Sequence, residues 1–130
     1  MPFWGLILTS TTFIIPTVVA YIKKRSRMTT TCSVLTVTSI LYHGTHNLIF
    51  KWIDLCYAHS VACLYSIISI KKCILYHRFY DFIILSGVGG SIYIFYAKSC
   101  NPTNQHQDYW HMLMHIVSQG SWIMHALDSK

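Results

Sequence analysis

Residues 3–22 read FWGLILTSTTFIIPTVVAYI, and residues 23–27 read KKRSR. The first stretch is free of charge and matches the roughly 20 residues that a helix needs to cross a bilayer core of about 30 Å. No charged segment precedes it. It is too long for a leader's apolar core and lacks a small-residue cleavage site, so it reads as a membrane span rather than a signal peptide. Pro16 predicts a kink in it, of the kind neighbouring helices tolerate.

Four further segments repeat the pattern: 30–50, 53–70, 82–97 and 110–127. The second is more polar than a lipid-facing helix would be. The breaks fall at 23–27, at Lys51-Trp52, at Lys71-Lys72 and across 98–109, the last holding the turn signal Asn101-Pro102. The expected fold is therefore all-α, a polytopic transmembrane helix bundle of about five spans. One domain over residues 1–130 holds all of them.

Composition agrees. Of the 130 residues, 53% are hydrophobic and only 11% charged, where a soluble domain carries about 25%. This excludes a disordered chain. The ten Lys and Arg give a net charge of +6, but they punctuate apolar runs instead of lining the basic face that a nucleic-acid partner requires. Five cysteines at irregular spacing make neither a disulfide framework nor a thiolate zinc knuckle. Gly87-Val88-Gly89-Gly90-Ser91 predicts a small-residue face for close helix packing.

The positive-inside rule orients the spans. Lys23, Lys24, Arg25 and Arg27 mark the first loop as cytoplasmic, and Lys71, Lys72 and Arg78 mark the third. The other two loops carry only Lys51 and Lys98. The N-terminus is thereby expected in the lumen or outside the cell, and the C-terminus in the cytoplasm.

Ionisable groups within spans are costly and mark function by default. The second span holds Ser39 and His43, four apart and hence on one helix face. The third opens with Asp54. The fifth carries His111 and His115, again four apart, a spacing that lets two imidazoles address one ion. In this topology His43 lies about seven residues below the outer end of its span, roughly 10 Å deep. Asp54, His111 and His115 share that outer half. Three neutral imidazoles with one open position suit a catalytic zinc ion. A nearby carboxylate can orient water and take its proton, and a hydroxyl one turn from a ligand can support the metal or a developing oxyanion.

The order of these residues is itself informative. Ser39-Ile40-Leu41-Tyr42-His43-Gly44-Thr45, then Asp54, then His111-xxx-His115 in the last span, resembles the CREST superfamily of membrane hydrolases. That superfamily includes the alkaline ceramidases, the adiponectin and progestin receptor family, and the post-GPI-attachment phospholipase. The resemblance implies that His43, His111 and His115 hold zinc and that Asp54 positions or deprotonates the attacking water. It assigns Ser39 to support of the metal or the oxyanion. The implied reaction is hydrolysis of a lipid amide, with membrane lipids as partners. The family core has seven spans. Here the pair between the Asp54 helix and the His-pair helix is missing, which leaves the cavity smaller, open to lipid, or completed by a second copy in a homo-oligomer. No acidic residue precedes Asp54, so the calcium cluster of the ceramidases has no counterpart.

The expected function is a zinc-dependent integral-membrane lipid hydrolase, cutting an amide in a ceramide-like lipid. The alternative is a non-enzymatic membrane protein that retains the metal site: a lipid sensor, a structural bundle or a small channel. A bis-histidine haem carrier, with His43 opposite His111 or His115, is a further reading of the same residues.

Overall fold

The computed structural model of the chain describes residues 4–127, without the side chains of residues 80, 82, 84 and 85. Phe3, at the expected start of the first span, lies outside the described residues. Six helices follow in order: α1 (Trp4–Thr11), α2 (Ile14–Ile22), α3 (Ser26–Thr45), α4 (Leu48–Tyr76), α5 (Phe79–Ser99) and α6 (Gln107–Leu127). There is no strand among the described residues. Two segments, Trp4–Ile22 and Leu48–Tyr76, are long and apolar enough to cross a membrane by length and composition.

Pro16 explains why the first segment is split. Proline has no N–H, and its ring clashes with the carbonyl four residues earlier, here that of Thr12. The helix accordingly breaks one turn before the proline. The Thr12 carbonyl takes the N–H of Ile15 at 2.9 Å, and the N–H of Phe13 bonds Ser10 at 3.2 Å. The carbonyl of Thr9 is thereby released from its usual helical partner. Gln119 Nε2 of α6 donates to it at 2.6 Å, and Thr12 Oγ1 donates to Gln119 Oε1 at 2.9 Å. A single amide thus bridges the kink.

The turns between helices are short. Lys24, His46 and His77 each take the left-handed backbone conformation, with φ of 55°, 52° and 52°, as residues that end helices often do. Asn47 then caps α4, its side chain accepting the N–H of Ile49 at 2.8 Å. This cap moves the second break from Lys51-Trp52 to His46-Asn47. Lys51 and Trp52 lie within the first two turns of α4, because an isolated lysine between apolar residues can lay its stem along the helix and need not end it. Lys71-Lys72 likewise lie inside α4, which runs on to Tyr76. At 29 residues α4 is about 43 Å long.

From α2 onward consecutive helices pack against one another, and α1 and α2 both pack against α3 and α6, which closes the ring. The interior has two halves. One is apolar, built from Phe13, Ala20, Met28, Cys32, Leu35, Val61, Trp122 and Ala126. There Tyr65 meets Trp122 edge to face with ring centroids 4.5 Å apart. The other half is polar and lies where α1, α3 and α6 converge. It buries Thr9, Ser10, Ser39, His43, His115 and Gln119.

Helix α3 carries many hydroxyls, yet most bond within the helix. Thr31, Ser33 and Thr36 each donate at 2.8 Å to the carbonyl four residues back, which removes much of the cost of placing them in an apolar medium. The glycines of α5 correct an expectation. A Cβ added at Gly87, Gly89 or Gly90 would meet nothing within 4 Å, so this face makes no close helix contact. The packing of α5 runs instead through aromatic rings nearer its C-terminal end. Phe95 stacks on Trp110 at 5.7 Å, and Tyr96 meets His59 edge to face at 5.6 Å.

Candidate metal centre

His43 lies two residues before the end of α3, and His111 and His115 occupy the second and third turns of α6. Antiparallel packing brings these positions to one end of the bundle. One ligand nitrogen from each of the three imidazoles lies within 4.8 Å of the other two. The rings touch edge to face, with centroids 4.9 Å apart for His43 and His111, 4.8 Å for His111 and His115, and 5.4 Å for His43 and His115. His43 is 3% exposed and His115 4%; His111 is half-buried and forms the open side.

The donor set fits a divalent ion. Nε2 of His43 is buried without a hydrogen-bond partner, an arrangement that costs free energy unless the lone pair is used. Tetrahedral zinc–imidazole bonds of about 2.0–2.1 Å set neighbouring nitrogens about 3.3 Å apart, so the rings need to draw in by no more than about 1.5 Å. Their mutual contact leaves no room for a macrocycle between His43 and the pair on α6, which removes the haem reading.

His43 lies nearer its helix end than expected. With α3 ending at Thr45, His43 lies only about 3 Å from the helix end along its axis, because the chain turns at His46 and not beyond Phe50. The other two sequence-predicted residues lie on α3 and α4, and neither contacts an imidazole among the hydrogen bonds of the described residues. Asp54, half-buried on the second turn of α4, accepts a hydrogen bond from Thr38 Oγ1 at 2.7 Å. It is not part of the three-histidine group. Ser39 is buried against Ser10, Oγ to Oγ at 2.9 Å, while Ser10 donates to the carbonyl of Leu6 at 2.7 Å. Either hydroxyl can donate in this pair, which ties α3 to α1.

Sequence reasoning overlooked α1 and the lower part of α6. Thr9, Ser10 and Gln119 are all buried beside the imidazoles, and Thr9 Oγ1 is 3.2 Å from His115 Nδ1. One signal was available: Gln119 follows His115 by four residues, the spacing that continues a helix face. Two surface clefts lie elsewhere, one along Ile67, Ile70, Lys71, Ile74 and Leu75, the other between Lys23-Lys24-Arg25 and Ala126-Leu127. No family model, curated protein or solved structure matches the chain.

Proposed function

We propose that this chain is a multi-pass integral-membrane hydrolase that uses a divalent metal, zinc by the chemistry of its ligands, to cut an amide in a ceramide-like lipid. The observation that carries the reading is the convergence of three imidazole nitrogens within 4.8 Å, one of them buried without a partner.

The membrane part of the proposal rests on the outer surface. Leu8, Ile15, Ile49, Ile67, Ile83 and Ile94 are among many large apolar side chains left exposed, far more than a soluble monomer tolerates. Helices α3, α5 and α6 have 20 or 21 residues, about 30 Å each, which spans a hydrocarbon core. The up-and-down path puts Lys23, Lys24, Arg25, Lys71, Lys72 and Arg78 at one end, the cytoplasmic end by the positive-inside rule. The imidazoles then face the lumen or the exterior, at the level of lipid carbonyls.

A divalent metal held by His43, His111 and His115 supplies an electrophile for the carbonyl and makes water acidic enough to react at neutral pH. The protein's own groups do the rest. Asp54 takes the proton from the attacking water; the oxygen adds to the carbonyl carbon, the C–N bond breaks, and the proton passes to the departing nitrogen. Thr38 holds the carboxylate for that task. Ser39 supports the site by fixing α3 against α1 through its hydrogen bond with Ser10. The half-buried His111 marks the side from which lipid enters. With Asp54→Asn, release of fatty acid from a long-chain N-acyl sphingoid lipid should fall 10²–10⁴-fold while bound metal persists. Absence of hydrolysis by the wild-type protein would remove the enzymatic reading.

The deep burial of His43 and His115 favours one second reading, a metal that staples α3 to α6 in a non-enzymatic membrane protein. Under it a chelator lowers the unfolding temperature, and Asp54→Asn changes nothing.

A further inference from the structure

We infer that Thr9 is a positioning residue that fixes the tautomer of His115 and thereby selects the nitrogen offered to a metal. The inference rests on the metal reading above and extends it to α1, which contributes no ligand.

The hydroxyl of Thr9 has one proton and several neighbours. Its Oγ1 lies 3.0 Å from the carbonyl of Gly5 and 3.2 Å from that of Leu6. Both can only accept. The nearer, the carbonyl four residues back, is the partner to which a helical threonine hydroxyl commonly donates, so the proton is assigned there. Donation to an unprotonated Nδ1 instead would put the ring hydrogen on Nε2. The third neighbour is Nδ1 of His115 at 3.2 Å. With the hydroxyl proton already committed, this contact is a hydrogen bond only if Nδ1 carries hydrogen and Thr9 Oγ1 accepts it. His115 is then the Nδ1–H tautomer, and Nε2 holds its free lone pair. Ligating histidines are commonly held in this way by a partner on the second ring nitrogen.

The position of Thr9 is itself fixed from α6. Gln119, one turn beyond His115, donates to the Thr9 carbonyl at 2.6 Å and accepts from Thr12 at 2.9 Å. Helix α6 therefore grips Thr9 twice, through its hydroxyl and through its carbonyl. That carbonyl can take Gln119 because the kink before Pro16 releases it from the helical ladder; Thr12 Oγ1 also lies 2.8 Å from it. Phe13 packs edge to face on the His115 ring at 5.5 Å and restricts its rotation. The proline break is thus linked to the metal centre through Thr9.

The test uses the full chain in detergent, titrated with Zn²⁺ against a competing chelator and with Co²⁺ for its visible absorption. Alongside, ring-¹⁵N chemical shifts of His115 are recorded on the metal-free protein. Thr9→Val keeps the shape and removes the acceptor; Thr9→Ser keeps the hydroxyl. The expected result is 10–100-fold weaker zinc binding for Thr9→Val, near wild-type binding for Thr9→Ser, and an Nδ1–H tautomer in the wild type. Equal affinity of wild type and a folded Thr9→Val overturns the role of Thr9 and leaves the metal centre standing. A wild-type protein that binds neither ion overturns the metal reading itself. Should Thr9→Val not fold, the wild-type spectrum decides, because an Nε2–H tautomer at His115 contradicts the inference.

Discussion

The imidazoles of His43 and His115 meet edge to face with their centroids 5.4 Å apart, although one ends α3 and the other lies in α6. Neither helix forms this contact by local preference. It follows from an up-and-down ring in which α1 and α2 lie between α3 and α6, bringing the end of α3 and the start of α6 to one level. Inside that ring the polar groups are nearly all paired, with Nε2 of His43 left over.

That leftover nitrogen has a stability consequence. A buried unpaired polar atom costs about 1–3 kcal/mol. In the metal-free protein, His43→Leu should therefore raise the unfolding free energy by about 1 kcal/mol or more, while abolishing metal binding. Thermal unfolding with and without zinc checks both halves. A loss of stability in the metal-free variant would mean that His43 serves the fold and not a ligand.

Gln119 should behave oppositely. Replacing it with Leu removes the α6 partner of the Thr9 carbonyl, which keeps Thr12 Oγ1 at 2.8 Å, a loss of about 0.5–1.5 kcal/mol. Denaturant unfolding in a fixed detergent measures it. Gln119→Glu, which keeps an acceptor for Thr12 but loses the donor to Thr9, should cost at least as much.

The apolar half depends on small residues. Ala20 and Cys32 are fully buried, and Ala126 is 1% exposed. Ala20→Leu has no void to fill and should destabilise the bundle by about 1–3 kcal/mol through overpacking. The metal site lies in the other half, so zinc affinity should stay within about threefold under conditions where the variant remains folded.

Much of this organisation was legible in the sequence, for identifiable reasons. His111 and His115 share a face because helices repeat every 3.6 residues, and the shared level of His43 follows from counting along apolar runs. The helix ends were less legible. Lysines at 51, 71 and 72 looked like boundaries, but a charge does not stop a helix; Asn47 as a cap and the left-handed turns at His46 and His77 do. The glycines of α5 misled because small residues permit close approach without compelling it, and the ring contacts of α5 come from Phe95 and Tyr96 nearer its C-terminal end. Thr9 and Gln119 escaped notice because their roles depend on a carbonyl freed by Pro16, a tertiary effect with only a faint local signature.

The most direct measurement is the metal content of the detergent-purified wild-type chain beside His115→Ala, both confirmed as folded by circular dichroism. One zinc per wild-type chain and almost none in the variant is the expected outcome. Folded wild-type protein that stays free of metal at micromolar zinc, or equal metal in both proteins, would contradict an ion held between α3 and α6.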